Sequence, residues 1–175
     1  MSVTRFYADW PDYNRRITDA VRAMTEADLA LAVPGSNHWP IWAVVGHMAG
    51  TRSYWLCEIA GEPGRETTPF TDPSGMGWED DLEHPRSAVE LVGALDATWA
   101  IVAATLERWT PAMLDEGIER EGSSGRQSHS RQSILLRMIN HDAYHVGEMG
   151  LALATNGRQP IDLWPAEDWM VSQGE

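Results

Sequence analysis

His141 and His145, with Glu148 three residues further on, are residues whose types and spacing could do chemistry together. On a helix an i, i+4 pair shares one face, with Cβ atoms roughly 5–6 Å apart. At about 100° per residue, Glu148 returns to nearly the azimuth of His141. Two imidazoles and a carboxylate on one stripe can begin a metal site, because neutral histidine is the commonest side-chain ligand for borderline cations. Such a pair needs a third ligand from elsewhere in the chain. It also has a plainer explanation, since separate histidines on a long helix can each satisfy a hydrogen bond in a core.

The helix that carries the pair is delimited by Ser130, a capping residue, and by Asn156-Gly157 at its far end, so it spans Arg131 to about Thr155. Ile134, Met138, His141, His145, Met149 and Ala152 form an inward stripe on which Arg137 and Glu148 also fall. Leu135, Ile139, Val146 and Leu153 add a second apolar flank, so this helix is buried all round or shared with a second subunit. Another helix, with Pro40 in its first turn, runs to about Ala60, where Gly61 stops it. On it His47, Thr51, Tyr54 and Glu58 lie within about 40° of one line. His47 is therefore the candidate third ligand.

Two further helices complete the set. The first repeats apolar residues from Phe6 to Met24; Pro11 either kinks it or falls in its first turn, with a start near Asp9. The third opens at a capping box, Ser87 to Glu90, and ends at Thr110-Pro111. Thr25 to Trp39 reads as a connection, and Gly61 to Arg86 as a long one, a lid or crossover anchored by Trp78. Leu114 to Ser130 reads as an irregular or weakly extended crossover, with His129 as a solvated loop residue. The tail from Arg158, with Leu163-Trp164-Pro165 and Trp169, is expected to pack across the end of the helices. Four long helices without a strong strand pattern give an all-α four-helix bundle, one domain over residues 1–175. Bundle sites form from inward side chains on facing helices, so His47 could meet His141 and His145 there.

Composition narrows the function classes. A formal net charge of −13 excludes the basic face that nucleic acid requires and disfavours an anionic membrane surface. All thirteen cationic residues are arginine, which removes lysine Schiff-base and lysine-nucleophile chemistry. Cys57 is the one cysteine, so no internal disulfide forms, as suits a reducing cytoplasm; it reads as a small core residue. The N-terminus lacks the basic and apolar regions of a secretory signal, and no stretch is expected to approach the roughly 18 apolar residues of a membrane span.

Trp42-Ala43-Val44-Val45-Gly46-His47-Met48-Ala49, followed by Asn140-His141-Asp142-Ala143-Tyr144-His145-Val146-Gly147-Glu148, resembles the DinB-like superfamily. The helix order and the Leu163-Trp164-Pro165 near the C-terminus extend the likeness over nearly the whole chain. The resemblance implies a bundle with up-up-down-down crossover connections, often a homodimer, in which His47, His141 and His145 hold a divalent metal. Zinc and nickel lead, with iron and manganese also open. Relatives include mycothiol-dependent maleylpyruvate isomerase and bacillithiol or mycothiol S-transferases. The leading expectation is therefore a metal-dependent S-transferase-like enzyme in which the metal activates a low-molecular-weight thiol or water. One rival is a non-catalytic dimeric, metal-stabilised bundle that binds a ligand or serves a bacterial stress response. The other is a metal-dependent hydrolase with Glu148 as general base. Members often carry Arg-Gly-Gln after the last histidine, where this chain has Val146-Gly147-Glu148. Glu148 could then ligate, orient a ligand from outside, or be an ordinary polar residue of the bundle. Thr51 and Tyr54 are expected to line the pocket; Arg137 is first expected to form an ion pair with an acidic neighbour such as Glu148, and its alternative is to hold a carboxylate of thiol or substrate. The small-molecule partner carries no implication of nucleic acid or membrane.

Overall fold

The computed structural model describes residues 1–35, 37–71, 78, 80–122 and 125–164. After a 3-10 turn at Thr4–Tyr7, helix α1 (Trp10–Ala23) begins with Asp9 at its N-cap and Pro11 in the first turn. Proline is tolerated there because the first turn has no intrahelical acceptor for its missing N–H. The start, rather than a kink, is thus what Pro11 marks. The connection from Thr25 to Trp39 contains a one-turn helix, α2 (Glu26–Leu29). Thr25 and Asp28 close a reciprocal capping box on it, with aspartate in the place usually taken by glutamate or glutamine.

Helix α3 (Ile41–Ser53) follows Pro40, which is its N-cap rather than a residue of its first turn. From Tyr54 to Ile59 the helix continues as a π-helix before Gly61, at φ 72°, ends it. The wider π turn changes the angular step, so the line extrapolated from His47 fails beyond Ser53. Thr51 stays buried one turn from His47. Tyr54 and Glu58 face outward instead: the Tyr54 hydroxyl accepts from Arg120 Nη1 at 2.7 Å, and Glu58 pairs with Arg65 at 2.6 Å.

Helix α4 (Ala88–Arg108) opens at the expected capping box between Ser87 and Glu90. By length and a mean hydropathy of 1.5 it matches a membrane span, which corrects the expectation that no stretch approaches one. Leu91, Leu95, Val102 and Leu106 are nevertheless buried on this helix, which packs against α1 and α3. That is the placement of a core helix.

Between α4 and the last helix the chain forms an antiparallel hairpin, β1 (Gly117–Gly122) and β2 (Gly125–Ser130), with Ile118 opposite His129. Of the irregular or weakly extended crossover read from the sequence, the extended alternative is the one realised, and the hairpin corrects the purely helical fold class. Only Ile118 is apolar in the two strands, so the alternation that announces a half-buried strand is missing. Ser123 and Ser124 at its tip lie outside the described residues. β2 runs directly into Ser130, whose Oγ accepts from the Ser133 N–H and caps α5 (Arg131–Thr155) as expected.

The interior forms two apolar clusters. One gathers Val45, Met48, Leu95 and Met149; the other gathers Trp10, Trp55, Trp109 and Met138, with half-buried Cys57 at its side. Both flanks of α5 contribute, as Met138, Met149, Leu135 and Val146 are all buried. Of the tail, Leu163 is buried and Trp164 Nε1 donates to the Tyr13 hydroxyl at 3.0 Å. Pro165 and Trp169 lie outside the described residues.

Candidate metal centre

α3 and α5 pack against each other and bring His47 to His141 and His145. One ligand atom from each lies within 4.8 Å of the others. The Nε2 atoms of His141 and His47 are 3.0 Å apart, and the ring centroids of the trio are separated by 4.4 to 5.2 Å. Two nitrogens on one tetrahedral zinc sit about 3.3 Å apart, given Zn–N bonds of about 2.0–2.1 Å. The imidazoles therefore stand almost as close as a shared cation would hold them.

Two carboxylates fix how the rings present themselves. His47 Nδ1 meets Asp80 Oδ1 at 3.0 Å, and His145 Nδ1 meets Glu148 Oε2 at 2.8 Å. The second Glu148 oxygen meets His38 Nδ1 at 2.7 Å. An ionised carboxylate only accepts, so each of these Nδ1 atoms carries the proton and donates it. That tautomer leaves the Nε2 lone pairs of His47 and His145 for a cation, the arrangement by which carboxylates orient metal-binding histidines. The residues present fit a divalent metal.

The sequence profile of the DinB superfamily matches residues 12–149, most of the chain. The chain belongs to the DinB superfamily. Its structure is similar to the crystal structure of a DinB-like protein from Bacillus cereus, with a TM-score of 0.67 and 19% sequence identity, covering 91% of this chain and 95% of that one. At that identity the likeness speaks for the fold alone. No curated protein matches the chain.

In this DinB-superfamily site Glu148 sits beside the histidine trio, engaged with two imidazoles at once. Glu148→Gln would turn one accepting oxygen into a donor that faces an N–H. Metal affinity is expected to fall about 10–100-fold, read by competition with a chromogenic chelator. Asp80 and His38 belong to loops, and no spacing rule points to either. Asp80 stands in the acidic run Glu79-Asp80-Asp81 of the long connection, which reads in sequence as solvated charge.

Burial, followed by the neighbouring His145 and His47, pushes the His141 pKa down to about 3. Burial also lowers His47, with Asp80 opposing it. Both are thus held in the neutral form that a metal requires. Between about pH 6.5 and 3 the unfolded chain takes up protons that folded His141 refuses, so chelator-treated protein should lose stability as pH falls through that window. Urea unfolding at pH 7 and pH 5 measures the loss, which should be smaller in His141→Gln.

The remaining sequence candidates spread around the centre. Thr51 is buried on α3, while Tyr54 is turned away to Arg120. Arg137 is exposed rather than inward, its guanidinium 4.6 Å over the Trp55 ring, and it makes no ion pair among the described residues. His129 is not a solvated loop residue: it sits half-buried on β2, edge-on to Trp55 at 5.0 Å.

Proposed function

We propose that this DinB-superfamily protein is a metal-dependent S-transferase-like enzyme that activates a low-molecular-weight thiol towards an electrophilic small molecule. The observation that carries the reading is the convergence of His47, His141 and His145, a ligand group that stops at three among the described residues. Structural zinc sites close with four protein ligands, whereas catalytic ones keep a position for water or substrate. A divalent cation there would stabilise a bound thiol as its thiolate. Zinc and nickel suit imidazole donors best, with iron and manganese as further candidates.

The chain's own residues would prepare that position. Asp80 and Glu148 hold His47 and His145 in one tautomer, and the Trp39 ring stands edge-on to His47 at 5.5 Å, limiting its movement. Both Glu148 oxygens are hydrogen-bonded to imidazoles, which favours an orienting role over that of general base in a hydrolase. The resemblance to the family supports a crossover four-helix bundle and a homodimer, and a single cysteine that forms no internal disulfide suits a cytoplasmic setting. Sedimentation as a monomer at micromolar concentration would end the dimer.

A thiol panel tests the function. Metal-loaded protein is expected to gain thermal stability with mycothiol or bacillithiol and to accelerate conjugation of that thiol to 1-chloro-2,4-dinitrobenzene. Stoichiometric metal with indifference to every thiol would instead support the non-catalytic, metal-stabilised bundle.

A further inference from the structure

We propose that the cleft beside His141 is a carboxylate-binding site anchored by Arg137, which would hold an acidic small molecule next to the metal centre. This rests on the metal-enzyme reading above and adds the substrate's charge to it. The cleft measures about 550 Å³, and His129, Ser133, Arg137, Asn140 and His141 line it. Four of these lie on one face of α5, because 133, 137 and 141 are spaced i, i+4, i+8 and 140 is i+3 from 137. The stripe leads from the cleft to a candidate metal ligand. Arg137 and His141 are one turn apart, about 6 Å along the helix axis.

Charge distribution makes this cleft unusual in the molecule. The chain carries a formal net charge of −13, and ten of its thirteen arginines lie against carboxylates. Among the described residues Arg5, Arg120 and Arg137 do not. Arg5 rests over Phe6 near the N-terminus, whereas Arg120 and Arg137 both stack on Trp55, at 5.0 and 4.6 Å from the ring centroid. Among the described residues Arg120 donates only to neutral groups, Gln127 Oε1 and the Tyr54 hydroxyl. Trp55 thus supports two guanidinium groups without neutralising them. His129 registers the result: burial first, then Arg120 and Arg137, lowers its pKa. No acidic side chain lines the cleft among the described residues.

A planar guanidinium fork with unused donors matches a carboxylate in bidentate geometry. Ser133 and Asn140 add neutral hydrogen-bonding groups on the same stripe. Tyr54, expected in the pocket itself, acts in this arrangement through Arg120, whose position it fixes.

Fluorine NMR titration with 4-fluorobenzoate and its uncharged analogue 4-fluorobenzamide tests the site, on protein as purified and after chelator treatment. The benzoate is expected to bind at least tenfold more tightly than the amide in both preparations. Arg137→Gln should abolish that preference while its melting curve stays that of the wild type, and Arg137→Lys should keep part of it. Equal binding of the two probes, no binding, or a preference that survives Arg137→Gln overturns the proposal. So does a preference confined to metal-loaded protein, which would place the carboxylate on the metal. Metal content measured on the same samples judges the metal-enzyme reading separately. An Arg137-dependent preference in protein that never carries metal would sink that reading and leave the anion site.

Discussion

His141→Ala protein is expected to emerge from purification almost free of divalent metal, where the wild type carries about one ion per chain. The loss should exceed the 10–100-fold that removing an outer hydrogen-bonding partner costs, because a ligand itself is gone. Stability separates this outcome from a histidine that merely fills the core. A metal at about 1,000 times its dissociation constant adds about 4.1 kcal/mol to the folded state. At about 2–4 °C per kcal/mol for a chain of this size, that is roughly 8–16 °C in Tm. His141→Ala should erase this increment. Without metal, the variant should differ little from wild type, because His141 Nδ1 is buried with no hydrogen-bond partner among the described residues. Its removal relieves an unsatisfied polar group worth about 1–3 kcal/mol, which offsets the packing that alanine forfeits. The reverse pattern, unchanged metal content with a strongly destabilised metal-free form, would make His141 a structural core residue.

The trio was legible in the sequence because its information is local. Ser130 and Ser87 mark where helices begin, and once the phase of α5 is set, residues 141 and 145 must share a face. His47 followed from the same reasoning on α3, since it lies within the regular part of that helix. Tyr54 did not, because Trp55 and Leu56 are buried through a π turn that no periodicity announces. The hairpin carries no apolar signature in the sequence for a related reason. Its order comes from strand pairing and from polar contacts such as Arg120 with Gln127, and these leave no apolar alternation in the residues. Asp80 and His38 reach the centre from connections, where the approach is set by tertiary packing. The candidate ligands are readable, and of the two carboxylates that contact them only Glu148 is, because it shares a helix with two of the histidines.

Asp142→Ala is expected to destabilise the metal-free protein by about 3–5 kcal/mol, a large part of the roughly 5–15 kcal/mol typical of a folded domain. Asp142 follows His141 on α5, about 100° further round the helix, and is buried. There its Oδ2 accepts from Arg52 Nη2 at 2.8 Å, with the two side chains only 6% and 1% exposed. Arg52 Nη1 also donates to Asn14 Oδ1 at 2.8 Å, so the group ties α1, α3 and α5 together. Burial pushes the Asp142 carboxyl up and the Arg52 guanidinium pulls it back. Such a pair need not stabilise the fold against an apolar replacement, because desolvation consumes most of the attraction. Breaking it is different. Alanine would leave the Arg52 cation, 1% exposed, hydrogen-bonded to a single neutral amide among the described residues. The double variant Arg52→Met with Asp142→Leu should therefore recover most of what Asp142→Ala loses, a coupling that a double-mutant cycle in urea reads directly. Arg52 lies five residues after His47 and Asp142 one after His141, so the pair also sets how α3 and α5 meet beneath the histidines. If Asp142→Ala costs less than about 1 kcal/mol, the picture of a desolvated ionic clamp under the metal centre is wrong.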